Sequence, residues 1–180
     1  MSRISSDVLL VNQNDEPIGR MEKMEAHQKG LLHRAFSVFI FNDQGEMLLQ
    51  RRSLKKYHSG GRWTNACCSH PYPDEDVLQA AIRRTNEELG ISIALNKAFS
   101  FTYKAVLDNG LTEHEFDHVF IGTYNGSLQP NKDEVGDYAY VEMDYLQQHI
   151  EKHPDQYTAW FKIALPLVNF MPCHKKKFNF

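Results

Sequence analysis

The chain is poor in cysteine, with three in 180 residues: Cys67, Cys68 and Cys173. A sparse, odd set excludes a disulfide scaffold and fits a reducing compartment. Adjacent residues such as Cys67 and Cys68 rarely reach disulfide geometry without strain. Long apolar runs are also missing. The first run, VLLV at 8–11, is four residues long, too short for the core of a signal peptide. No stretch approaches the roughly 20 apolar residues of a membrane span. Charge of one sign is not in excess: a formal net charge of −3 gives no global attraction to nucleic acid or an anionic membrane, though a local basic cluster can still serve a small anion. Internal repeats and low-complexity linkers are absent. These absences lead us to expect a cytoplasmic protein folded as one domain over 1–180, with no nucleic-acid or membrane partner. Composition, 42% apolar and 24% charged, is that of an ordinary globular chain, and the length suffices to bury a full core.

What is present is a succession of β-rich segments. VLLV (8–11) and IGRMEK (18–23) read as a hairpin around NQNDEP, and MEAHQKG (24–30) as a helical turn stopped by Gly30. HRAFSVFIF (33–41) and EMLLQRR (46–52) flank the turn NDQG. SLKKYHSGGR (53–62) is a polar loop and WTNACCSH (63–70) a further extended segment. The clearest helix covers 75–89, with Asp74 as N-cap after Pro73, a stripe of Leu78, Ile82, Thr85 and Leu89, and Gly90 as its stop. AFSFTYKAV (98–106) and LTEHEFDHVFIGTY (111–124) flank DNG, a hairpin signal. DYAYVEM (137–143) reads as a strand. Helices over 144–153 and roughly 156–170, the second holding Pro166, precede a solvated tail HKKKFNF. Hairpin-linked strands with few helices predict an α+β fold with a mixed or antiparallel sheet, not a doubly wound parallel one.

Three clusters carry chemistry. In NACCSHPYPDE (65–75), strand alternation puts Cys68 and His70 on one face and Cys67 and Ser69 on the other. The alternative is that both cysteines are small core residues, which is the favoured reading for Cys67. In the EHE of 113–115, Glu113 and Glu115 share a face with His114 opposite. Two carboxylates on one face repel unless a cation or a shared proton relieves them, and a divalent metal does this most simply; an exposed edge facing water is the other reading. His27, His33 and His70 are candidates to join them as ligands. On the helix, Arg83 with Glu87 and Arg84 with Glu88 stand at i,i+4, which by itself is ordinary ion pairing.

Ser69-x5-Glu75-x7-Arg83-Arg84-Thr85-x-Glu87-Glu88-x-Gly90-Ile91 resembles the Nudix box, G-x5-E-x7-R-E-U-x-E-E-x-G-U with U aliphatic. Ser69, Arg84 and Thr85 depart from it. Arg84 removes an acidic metal ligand and adds a phosphate donor. With MEKMEAH, LLHRAFSVFIFN, QRRSLKKYHSGGRWTNACCSHP, FTYKA, EHEFDHVF, KDEV and TAWFK, the chain from about residue 8 to 165 resembles the type I isopentenyl-diphosphate isomerases, although that family commonly has proline where Ala159 stands. The resemblance implies a Nudix-type α/β/α sandwich around a mixed sheet, with the box over about 69–91. It implies a catalytic thiol at Cys68 and a site of His27, His33, His70, Glu113 and Glu115 for Mn²⁺, Zn²⁺ or Mg²⁺. A second cation, Mg²⁺, is implied on Glu88, the Cys68 main-chain carbonyl and a substrate diphosphate.

The implied activity interconverts isopentenyl and dimethylallyl diphosphate through a tertiary carbocation, with a small isoprenyl diphosphate as substrate and a monomer or homodimer as the assembly. Cys68 would serve one face of the hydrocarbon; Glu115, helped by Tyr103, the other; Trp160 would offer a π face to the cation. Lys23, Arg52, Lys56 and Arg84 would anchor the diphosphate, Arg52 being preferred to Arg51 by strand alternation. The rival readings are a Nudix hydrolase, which leaves Cys68, His70 and the Glu113/Glu115 pair without a task, and a non-catalytic Nudix-fold binding module, which predicts broken catalytic positions.

Overall fold

The structure is a computed structural model, and it describes residues 7–169; Cys173 and the basic tail lie outside the described residues. Along the chain come β1 (Asp7–Val11), β2 (Pro17–Glu22), α1 (Lys23–Lys29), β3 (His33–Phe41), β4 (Met47–Arg52), β5 (Trp63–Asn65) and β6 (Cys67–Ser69). Then follow α2 (Val77–Leu89), β7 (Asn96–Val106), β8 (Thr112–Thr123), β9 (Val135–Val141), α3 (Met143–Lys152) and α4 (Ala159–Asn169). Among the described residues no helix is long and apolar enough to cross a membrane.

β3 is the hub. It runs parallel to β8 from His33 opposite Glu115 to Phe41 opposite Thr123. Its other edge is shared in turn by β1 at His33, β6 at Phe36–Val38 and β4 at Phe41. β7 extends the sheet beyond β8, antiparallel, and β9 and β5 flank β4, also antiparallel. The sheet is therefore mixed. A strand paired on both edges and covered on both faces needs a mostly apolar run, and HRAFSVFIF supplies one that only Ser37 interrupts after Arg34.

Alternate residues of β3 feed two cores. Phe36, Val38 and Ile40 pack with Ala80, Ala81 and Leu89 of α2, and Cys67 joins them. Phe39 and Phe41 pack with Leu146 of α3 and Trp160, Phe161 and Leu165 of α4, and Cys68 lies against that second core. The result is an α/β/α sandwich. The adjacent cysteines are divided between its two layers, as strand alternation requires.

Two helix starts lie two or three residues later than the sequence expectation. Asp76, not Asp74, caps α2: its Oδ1 accepts from the Gln79 N–H at 3.0 Å. The two prolines hold 71–75 out of the helix, and Asp74 pairs instead with Arg20 at 2.5 Å. The deep face of α2 is Ala80, Ala81, Thr85, Glu88 and Leu89, while Leu78 and Ile82 are only partly buried. The last helix starts at Ala159 because Tyr157 and Thr158 are drawn into an extended bridge with Trp63, Thr158 N–H donating to the Trp63 carbonyl at 3.0 Å. That bridge sets where Trp160 enters the core.

Gly90, at φ +70°, ends α2 where a Cβ would stand 2.6 Å from the Gln129 carbonyl oxygen; Gly45, at φ +80°, has open space around it. Gly45→Ala meets only the left-handed penalty, about 1–2 kcal/mol. Gly90→Ala adds a backbone collision and is expected to cost about 2–4 kcal/mol, compared by denaturant unfolding. Equal losses at the two positions would contradict this packing.

Candidate active site

One ligand atom each from His27 on α1, His33 on β3, His70 beyond β6 and Glu115 on β8 lies within 4.8 Å of the others. Glu22 caps α1 by accepting from the Glu25 N–H, and Gly30 stops it, which turns His27 inward. His27 Nδ1 lies 2.7 Å from the Lys23 carbonyl and His33 Nδ1 lies 2.8 Å from the Leu31 carbonyl. A carbonyl only accepts, so both Nδ1 atoms carry the proton, and the Nε2 of a neutral His27 presents a lone pair. His27 Nε2 is buried without a hydrogen-bond partner. His33 Nε2 faces His70 Nε2 at 3.2 Å, and His70 Nε2 is 2.9 Å from Glu115 Oε1. Burial lowers His27, and it pushes His70 down to about 4, so these rings are neutral. Burial opposes the charge on Glu115, but hydrogen bonds from His33 and His70 overcome it and hold that carboxyl low. An orphaned buried nitrogen beside neutral imidazoles and an ionised carboxylate is the donor set of a divalent metal site.

Glu113 stands beside this group rather than in it. Its Oε2 is 3.1 Å from the Tyr103 hydroxyl and its Oε1 is 4.0 Å from His58 Nε2. Burial, then the charge of Glu115, raises its pKa. Tyr103 donates to Glu115 Oε2 at 2.6 Å.

The Cys68 thiol is held by three side chains. Asn65 Nδ2 donates to the Val38 and Cys67 carbonyls, both at 3.1 Å, which commits its two protons and turns Oδ1 to the sulfur at 2.9 Å. Trp160 Nε1–H donates to Sγ at 3.1 Å, and Ser37 Oγ lies 3.5 Å away. Ser37 in turn donates to Asp117 at 2.8 Å. Burial, then the Asp117 charge, raises the thiol pKa against the opposing hydrogen bonds of Ser37 and Asn65, so Cys68 rests protonated.

Cys68, His70, Tyr103 and Trp160 line a cleft of about 260 Å³ that also receives Lys23, Arg52, Lys56 and Arg84. Arg84 donates to Glu87 at 2.7 Å and to Glu88 at 2.6 Å, and Glu88 also accepts from Gln50 at 2.9 Å. Lys56 pairs with Glu134. Burial, then Lys56 and Arg84, lowers the pKa of Lys23. Arg52 points inward, its guanidinium 5.1 Å from the Trp160 ring centroid, while Arg51 points out toward Asp137 at 3.8 Å.

Of the site residues expected from the sequence, His27, His33, His70 and Glu115 form the cluster, Cys68 and Trp160 share the thiol network, and Lys23, Arg52, Lys56 and Arg84 make the cationic wall, while Glu113 and Tyr103 adjoin the cluster and Glu88 lies beside Arg84. Sequence reasoning missed Asn65, Ser37, Asp117, His58 and Glu134 as site groups. Asp117 had a signal, since it lies two residues beyond Glu115 on the same strand face. Ser37 needs the β3–β6 register, which places it opposite Cys68, and His58 sits in an aperiodic loop.

The NUDIX domain family matches residues 31–161. A crystal structure of a Deinococcus radiodurans protein covers 89% of this chain and 98% of its own length with a TM-score of 0.75 at 16% identity. The MutT protein of Methanosarcina mazei covers 77% and 93% with a TM-score of 0.64 at 20% identity. Those likenesses are of fold. The isopentenyl-diphosphate Delta-isomerase of Pectobacterium atrosepticum is 52% identical over 159 residues, 88% of this chain and 89% of its own. The isopentenyl-diphosphate Delta-isomerase of Burkholderia multivorans is 40% identical over 168 residues, 93% of this chain and 96% of its own. With the NUDIX match and these identities over most of both chains, the chain belongs to the isopentenyl-diphosphate Delta-isomerase family of enzymes.

Proposed function

We propose that the protein interconverts isopentenyl diphosphate and dimethylallyl diphosphate by adding a proton to one side of the allyl unit and removing another from the far side. The observation that carries this reading is the joint presence, in one cleft, of a protonated thiol at Cys68 and an ionised carboxylate at Glu115 bonded to the Tyr103 hydroxyl. A donor and an acceptor are what a proton-in, proton-out reaction consumes, and they exchange roles when the direction reverses. Hydrolysis of a diphosphate needs a base for the attacking water but leaves the protonated thiol without a task.

The residues divide the work. Lys23, Arg52, Lys56 and Arg84 hold the diphosphate and so fix the hydrocarbon against the thiol. Asn65 and the Trp160 N–H fix the direction of the S–H bond. Trp160 already attracts one cation, the Arg52 guanidinium; once Arg52 turns to the diphosphate, that ring face is free for the tertiary carbocation, worth about 2 kcal/mol when desolvated. A carbocation must be kept from water, and the buried walls of the cleft do this. A divalent ion, Mn²⁺, Zn²⁺ or Mg²⁺, would be held by His27, His33, His70 and Glu115, with Glu113 adjoining, and its charge would tune the acidity of Glu115. Mg²⁺ would be held by Glu88, the Cys68 carbonyl and the substrate diphosphate, neutralising the latter.

Incubation with isopentenyl diphosphate and Mg²⁺ in D₂O is expected to give deuterated dimethylallyl diphosphate without phosphate release; phosphate release without isomerisation would mark a hydrolase. Cys68→Ala should lower kcat by about 10²–10⁴, whereas Cys67→Ala, in the opposite layer, should cost stability and keep most of the activity. Similar loss of kcat in both variants would sink the assignment of the thiol. Saturating Mn²⁺ or Zn²⁺ at 100 times its Kd should stabilise the metal-stripped protein by about 2.7 kcal/mol, read as a rise in Tm, and His33→Ala should remove most of that rise.

A further inference from the structure

Glu134 is a carboxylate on the part of the cleft wall that carries Lys23, Lys56 and Arg84. One of its oxygens pairs with Lys56 and the other lies 3.5 Å from Arg84, so both face groups assigned above to the diphosphate. Its backbone is fixed. Ser53 N–H donates to the Glu134 carbonyl at 2.9 Å, Glu134 N–H donates to the Asn131 carbonyl at 3.0 Å, and Asn131 N–H donates to the Glu88 carbonyl of α2 at 2.9 Å. Arg84 is already shared with Glu87 and Glu88. The next residue back, Asp133, makes a different pair, with Lys55 at 2.6 Å, and both of those side chains are more than 70% exposed.

A diphosphate seeks the same cations. To reach Lys56 and Arg84 it must bring its oxygens toward the Glu134 carboxylate, and like charges repel strongly in a partly desolvated site. We propose that Glu134 is a resident counter-ion: it holds Lys56 and Arg84 neutralised and oriented between turnovers and weakens the grip on any diphosphate, substrate or product. It is a positioning residue that favours release. Both isoprenyl diphosphates present the same anion, so a tighter hold on that anion stabilises ground state and transition state alike and does not speed the proton transfers. The proposal rests on the isomerase reading for the identity of the substrate, and on the cationic wall alone for the anion.

The test is calorimetric titration of the whole protein with inorganic pyrophosphate and Mg²⁺, paired with KM for isopentenyl diphosphate. Glu134→Gln is expected to bind pyrophosphate about ten-fold tighter, and to lower KM in step, because a repulsive charge is removed. Asp133→Asn removes the same charge from an exposed pair and should change affinity by less than about two-fold. Unchanged or weaker binding by Glu134→Gln overturns the proposal, weaker binding being what a purely structural role would give. Equal tightening by Asp133→Asn overturns it as well, since net charge would then be the cause. Arg84→Ala separates the levels. If it leaves pyrophosphate binding intact, the anion site itself is misplaced; if it weakens binding while Glu134→Gln fails to tighten it, only the counter-ion role falls. Should the wild-type protein bind pyrophosphate with this pattern yet fail to isomerise, the counter-ion stands and the reaction assignment is lost.

Discussion

The parallel pairing of β3 with β8 places His33 opposite Glu115, and the site grows from that register. On the other edge of β3, β6 sets Cys68 opposite Ser37. A single central strand thus receives a carboxylate from one side and a thiol from the other, and its own His33 and Ser37 connect to each. His70, just past β6, and His27, on the capped helix before β3, close on the same point. A one-residue slip of β8 would turn Glu113, Glu115 and Asp117 to the opposite face and leave three imidazoles without a carboxylate. Pairing over nine residues with an apolar strand guards against that slip.

Periodic features were legible in the chain and aperiodic ones were not. Alternation separated Cys67 from Cys68 and paired Glu113 with Glu115, because side-chain direction in a strand follows from residue parity. The i,i+4 pairs Arg83–Glu87 and Arg84–Glu88 appear as their spacing requires. The helix start was displaced because two aspartates competed for the cap, and the prolines before them delay the helix to Asp76. Asn65 acts on the thiol only because its amide is pinned by two carbonyls, one of them on β3, a relation that no local pattern records. His58 and Glu134 arrive on loops. Glu113 shows the limit of face reasoning: the shared face was legible, but distance along the strand gave it to Tyr103 and His58 instead of the cluster.

Burial decides the protonation states that the chemistry needs. A neutral His27 and His70, an ionised Glu115 and a protonated Cys68 are each the outcome of desolvation weighed against a named partner. The carboxylates differ most. Glu115 keeps its charge through two imidazoles, Glu113 is pushed up by burial and by that same charge, and Asp117, with Ser37 as its hydrogen-bond donor, is pushed up to about 8. One stripe of a single strand thereby holds carboxyl groups in different states, which alternation alone does not provide.

The arginine in the α2 motif accounts for the division of the cleft. An acid at position 84 would place a third carboxylate beside Glu87 and Glu88, a like-charge cluster stable only when filled by cations. Arg84 instead neutralises both neighbours within one helical turn and turns the helix edge from a metal cage into an anion wall shared with Lys56. Glu88 keeps a bond to Gln50 and remains at the cleft wall as a single carboxylate, enough for Mg²⁺ only when a diphosphate supplies the other oxygens. The sheet end, with three imidazoles and Glu115, is left as the place where the protein's own side chains suffice to hold a metal. On the proposed reading, phosphate recognition and proton chemistry would then lie at two ends of one cleft, the substrate's charged head against the cations and its hydrocarbon end against Cys68, Tyr103, Trp160 and the carboxylate behind them.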